Sequence, residues 1–181
     1  MKKLHKLRNQ KGFTIVELLI VIVVIGILAA LVLNAFSGVQ AKARDTKRQT
    51  DVRAISSQLE AWFNGGGNGT YPSELASNGN PLTDSYATTN WPGFDVNAFR
   101  GPNQAANSMI VPTALTAAGV PTPAETSAGL GAGNNYMYIP YTGTTGSSEA
   151  LCTSVVTNCA HYQLVYWSEG TSAAVVKQSL N

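Results

Sequence analysis

Three sets of side chains in this sequence have types and spacings that invite chemistry. These are Glu17, alone in a long apolar run; the pair Cys152 and Cys159; and two blocks of basic residues, at 2–11 and 42–53. From Phe13 to Leu33 the chain reads FTIVELLIVIVVIGILAALVL, in which Thr14 and Glu17 carry the only polar side chains. A carboxylate at mid-bilayer costs about 2.5–3.5 kcal/mol and less near the end of a span, so it needs a partner of opposite charge or a route to the headgroups. Its isolation points to charge recognition. Cys152 and Cys159 close a short loop and read as a disulfide, worth about 2.5 kcal/mol in chain-entropy terms and therefore local in effect. Two free thiols are the alternative. A third reading adds His161 to make Cys-x6-Cys-x-His, which lacks a fourth metal ligand. With His161 the single histidine outside the first twelve residues, no clustered carboxylates and no Gly-rich loop joined to a strand, the chain is not expected to be an enzyme or to hold a metal or cofactor.

The elements that must position these groups follow from composition and period. Residues 1–12 (MKKLHKLRNQKG) carry five cations and no acid, have no apolar face and read as a targeting leader. Residues 13–33 as a helix are about 31 Å long, enough to cross a bilayer, where helix is the one single-segment solution for the backbone. The leader's positive charge keeps that end in the cytoplasm and sends the bulk of the chain outside. Residues 34–63 continue the helix in amphipathic form: Val52, Ile55, Leu59 and Trp62 or Phe63, spaced three and four apart, make one apolar stripe. Lys42, Arg44, Asp45, Lys47, Arg48, Asp51 and Arg53 are expected on the other faces, either solvated or turned toward neighbouring copies. Arg48 is expected to matter for such contacts and not for folding.

The run Asn64-Gly65-Gly66-Gly67-Asn68-Gly69 ends the helix. Residues 64–134 are rich in Gly, Asn, Thr, Ala and Pro, with short helices at most, opening at Pro72-Ser73-Glu74-Leu75 and Thr113–Ala118. Residues 135–181 hold strands at Asn135–Tyr141, Ala160–Trp167 and Thr171–Val176, with Ser168-Glu169-Gly170 as a hairpin turn. The fold class is therefore α+β, a long helix packed against a small antiparallel sheet. Of the 12 Lys and Arg, five lie in the leader, and the remaining seven face ten acids. That balance speaks against a dedicated nucleic-acid binder.

Lys11-Gly12-Phe13-Thr14-Ile15-Val16-Glu17-Leu18-Leu19, ahead of an apolar helix, resembles the N-terminal signature of type IV pilins and pseudopilins. The resemblance covers about residues 8–63. Downstream, Tyr71-Pro72 and a disulfide-closed C-terminal region resemble the family more loosely. It implies that a prepilin peptidase cuts between Gly12 and Phe13 and that the new amino group of Phe13 is methylated. It further implies that Glu17 guides assembly into a helical filament. An amine and a carboxylate about 4 Å apart attract by roughly 4 kcal/mol at an effective dielectric of 20, enough to offset desolvation of Glu17. Gly26 and Ala30 form a small-xxx-small pair suited to close helix approach. Many family members have Pro where Asn34 stands here.

The implied function is that of a structural type IV pilus subunit serving adhesion, motility or DNA uptake, with a pseudopilin of a secretion or competence system as the alternative. The expected partners are other copies of the chain, the prepilin peptidase, an inner-membrane assembly platform and, before assembly, membrane lipid; no specific nucleic acid or small molecule is expected. The expected location is the cytoplasmic membrane as a single-pass protein with its N-terminus inside, then a pilus on the cell surface. A secreted protein with an ordinary signal peptide is a weaker competitor, because the apolar run is too long and contains Glu17.

Overall fold

In the computed structural model the described residues are 12–73, 82–107, 109–110, 130, 135–142, 151–152 and 158–181. The leader up to Lys11, the residues from Glu74 onward in the first expected short helix, and all of the second at Thr113–Ala118 lie outside them. The chain forms two units, Met1–Gln40 and Ala41–Asn181.

Helix α1 runs Ile15–Asn64, with the backbone helical through Asn34. In the first unit every residue from Gly12 to Leu33 is exposed. This is the single helix among the described residues that is long and apolar enough to cross a membrane. The apolar side chains from Phe13 to Leu33 are thus left exposed by the described residues, which in water would leave a large unfavourable surface and in lipid costs nothing.

In the second unit α1 buries Val52, Ile55 and Leu59 completely or nearly so. Each such burial contributes about 1.5–3 kcal/mol. They pack on one face of a four-stranded sheet ordered β1-β2-β3-β4, with β1 Met109–Ile110, β2 Tyr136–Tyr141, β3 His161–Ser168 and β4 Ala173–Gln178. The α+β class stands, with one refinement to the sheet. β2, β3 and β4 pair antiparallel as expected, whereas β1 pairs parallel with β2, Met109 opposite Tyr136, so the sheet is mixed.

Alternation along the strands divides the core in two. Tyr136, Tyr138, Tyr162, Leu164 and Tyr166 face α1 together with Cys152 and Cys159. Met137, Ile139 and Val165 point the other way and are covered by Leu130 and Leu151. Burial on both faces explains why β2 reads as one continuous buried run. Between α1 and the sheet in sequence lie α2, Asp84–Asn90, and a 3-10 helix, Val96–Phe99. Thr83 caps the former through the Tyr86 amide at 3.1 Å and Asp95 the latter through the Asn97 amide at 2.9 Å. They deliver Ala87, Trp91, Ala98 and Phe99 to the α1-facing core.

Candidate functional site

The N-terminal segment is built by helix-end chemistry. The first four amides of a helix lack intrahelical partners, and here Thr14 and Glu17 satisfy two of them reciprocally. The Thr14 hydroxyl accepts from the Glu17 amide at 3.2 Å, and Glu17 Oε2 accepts from both the Thr14 amide and the Thr14 hydroxyl at 2.8 Å. Glu17 is thus engaged with its own helix start. Its second carboxylate oxygen has no donor among the described residues. The Thr-x-x-Glu spacing was visible in the sequence as a capping-box signal, although the family resemblance drew attention to Glu17 alone.

Phe13 is 87% exposed, and nothing lies within 4 Å of where a side chain on Gly12 would begin. Gly26 likewise has open space around it. The segment therefore presents an accessible Gly-Phe bond, a fixed carboxylate one turn further on, and a bare apolar helix. This arrangement suits recognition and polymerisation. Among the described residues no group of three or more His, Cys, Asp or Glu is placed to hold a metal ion.

A second site differs from what the residue types of α1 imply. Arg48, expected on a solvated or neighbour-facing side, is completely buried, and Asp45 and Asp51 are 8% and 9% exposed. The cause is position: 45, 48, 52, 55 and 59 are spaced three and four apart, so Asp45 and Arg48 continue the apolar stripe toward the helix start. Arg48 donates to Asp45 Oδ1 and to Glu169 Oε1, both at 2.7 Å, and Arg44 grips the same Glu169 with two nitrogens.

Asp45 in turn accepts from the Ser168 hydroxyl at 3.0 Å, the Glu169 amide at 3.0 Å and the Gly170 amide at 2.8 Å. One helix carboxylate thereby ties down the turn between β3 and β4, which spans Glu169–Ser172 and is longer than the three residues expected. Burial alone would push the Asp45 carboxyl up, but the Gly170 and Glu169 amides, Ser168 and Arg48 together hold it below its ordinary value. The hydrogen bonds from Arg44, followed by those from Arg48, hold Glu169 down at about 2. Asp51 takes Lys47 and the Tyr136 hydroxyl, the latter at 2.7 Å. Burial, reinforced by that carboxylate, raises the Tyr136 hydroxyl well above its ordinary range, so it donates and does not ionise.

Cys152 and Cys159 form a disulfide with Cα atoms 5.8 Å apart, and both are fully buried. Free thiols and the metal set are thereby set aside. His161 stacks on Tyr141 and bonds the Asn181 carbonyl oxygen at 2.7 Å. The loop end is anchored to the chain that leaves α1, because the Tyr71 amide donates to the Cys159 carbonyl at 2.9 Å.

Residues 7–33 match the prokaryotic N-terminal methylation motif. The chain is 42% identical over 55 residues to type II secretion system core protein G of Dickeya chrysanthemi, covering 30% of this chain and 36% of that protein. It is 28% identical over 124 residues to the type IV major pilin protein PilA of Myxococcus xanthus, covering 68% of this chain and 53% of that one. A fimbrial protein of Pseudomonas aeruginosa is 36% identical over 55 residues, 30% of this chain and 36% of its own. The chain thus spans from about a third to about half the length of these relatives. No solved structure matches it. Its N-terminal segment thus carries a methylation motif, and the chain is similar to proteins of type IV pili and type II secretion systems.

Proposed function

We propose that this chain is the precursor of a structural subunit of a type IV pilus. In this reading a prepilin peptidase removes residues 1–12 and the amine of Phe13 is methylated. The apolar half of α1 holds the subunit in the cytoplasmic membrane, leader end inside, until an assembly platform passes it into a filament. There the same helix packs among its copies, Gly26 and Ala30 at close approaches, and the second unit is displayed at the cell surface. Glu17 meets the Phe13 amine of a neighbour through the carboxylate oxygen that Thr14 leaves open, and this opposite charge sets register.

The observation that carries the proposal is the conjunction, at one end of the chain, of a methylation motif with a helical stretch, Ile15 to Leu33, whose apolar residues are all exposed. A protein with so much unpartnered hydrocarbon needs lipid or other copies of itself. Mass spectrometry of the mature N-terminus is the direct test. A methylated Phe13 supports the reading, a start near Asn34–Phe36 overturns it in favour of ordinary secretion, and Gly12→Leu should leave uncut precursor in the membrane.

A pseudopilin of a type II secretion system is the second reading, favoured by the higher identity to core protein G, 42% over 55 residues. The match to the pilin extends over more than twice as many residues, which favours the pilus. Cells lacking only this chain separate the two: loss of surface filaments supports a pilus, and loss of exported proteins with filaments intact supports a pseudopilus.

A further inference from the structure

The charges on α1 beyond Ala41 fall into two sets. Arg44, Asp45, Lys47, Arg48, Asp51 and Glu60 are engaged within the subunit, with one another, with Glu169, for Lys47 also with the Arg100 carbonyl at 3.1 Å, and for Glu60 with the Tyr71 and Tyr162 hydroxyls. Lys42 and Arg53 are exposed and make no ion pair with any described residue. The two lie on one ridge. Lys42, Thr46, Gln49, Arg53 and Ser57 follow one another at steps of three and four, all exposed. The ridge holds two cations, no anion and no large apolar side chain.

About a third of a turn around the helix from Arg53 lies a groove of about 450 Å³ between α1 and the loop after α2. Lys47, Asp51 and Gln58 line one wall, and Phe94, Asp95 and Asn97 the other. Lys47 and Asp51 neutralise each other there, so the unbalanced charge is that of Asp95. One oxygen of Asp95 accepts from the Asn97 amide and side chain at 2.9 and 2.7 Å, and the other has no partner among the described residues.

We propose that in the filament the Lys42–Arg53 ridge of one subunit docks along this groove in a second copy, with Arg53 paired to Asp95. The proposal rests on the reading of the chain as a filament subunit. Charge complementarity selects a second copy as occupant: the ridge carries the unspent cations of α1, and the groove carries an unspent anion. The two surfaces lie on different faces of the same helix, so the contact is head-to-tail, and a head-to-tail contact that does not close propagates as an open helical polymer. A polar ridge and a half-polar groove also suit subunits that fold separately before they meet. Pairing of this kind fixes register more than it adds affinity.

The test uses the full chain in cells, with filaments sheared off and compared with the membrane pool for wild type, Arg53→Glu, Asp95→Lys and the double exchange. Each single reversal should lower filament yield about tenfold, and the exchange should bring it back to within about twofold of wild type. Because Arg53 is exposed, the unfolding midpoint of purified Arg53→Glu should equal that of wild type. Asp95→Lys also removes the cap on the 3-10 helix, so Asp95→Asn, which keeps a capping acceptor and loses the charge, is the control and should still lower yield. Wild-type yield from Arg53→Glu or Asp95→Asn, or a double exchange no better than its weaker parent, overturns the docking. If the wild-type chain makes no filaments, it is the filament reading itself that fails, which is a separate result.

Discussion

From Phe13 to Leu33 the chain carries one ionisable side chain and buries nothing. From Ala41 to Asn64 the same helix carries eight, and the most deeply buried of all is an arginine. The contrast shows that burial follows where a position points and what stands opposite, and polarity follows from that. In the first stretch no described residue stands opposite. In the second the β3–β4 turn stands opposite and supplies Ser168, Glu169 and two backbone amides. Charges in the two stretches should therefore fail differently when they are removed.

The largest expected difference is at Glu17. Glu17→Leu makes the span more apolar and leaves the second unit untouched, so the subunit should accumulate normally in the membrane while sheared filaments fall to background. Undiminished filaments would mean that Glu17 serves its own helix start and nothing more. Arg48 should behave in the opposite way. Arg48→Ala leaves the buried Asp45 without its counter-charge and Glu169 held by Arg44 alone, and should cost the second unit about 3–5 kcal/mol in denaturant unfolding, with filament loss following from instability. An unchanged unfolding midpoint would return Arg48 to the surface role its residue type suggested.

Smaller effects come from groups that pin local structure. Replacing Cys152 and Cys159 together with Ala should lower stability by about 2.5 kcal/mol, chiefly by freeing the loop between them, and native protein should show no thiol that reacts with label. The smallest effect is one of pH. Glu169 has a folded value of about 2 against an ordinary 4.5, so its contribution is complete above about pH 4.5 and drains away as the pH falls toward 2. Unfolding midpoints measured from pH 6 to pH 2 should decline over that window in wild type and decline less in Glu169→Gln.

The sequence made the helix and the three longer strands legible, because a long apolar run and aromatic, β-branched runs leave few alternatives. Other features were not legible for identifiable reasons. β1 is two residues long, Met109 and Ile110, too short for any period, and its parallel pairing depends on a partner 27 residues away. The second core cluster depends on Leu130 and Leu151, single residues whose neighbours carry no pattern. Asp45 and Arg48 were read by residue type, which said surface, when their spacing on the stripe said core. Glu17 was read by its isolation, which concealed a hydrogen-bonding partner three residues away.

The run of glycines after α1 has a consequence for heredity. Gly65-Gly66-Gly67-Asn68-Gly69 looks like low-complexity spacer, the sort of stretch in which substitutions drift freely. Yet a Cβ on Gly67 would stand 2.3 Å from the Thr70 carbonyl oxygen and 2.5 Å from Trp62 Nε1, and Gly69 holds a φ of 78°. The Thr70 carbonyl cannot yield that much without moving Tyr71, whose amide donates to the Cys159 carbonyl, and the indole is packed edge-on against Tyr86. A stretch written with one letter can therefore carry as much specification as a varied one. Among descendants of this chain, Gly67 and Gly69 should be kept, so that repetition in the text conceals two positions that selection reads individually.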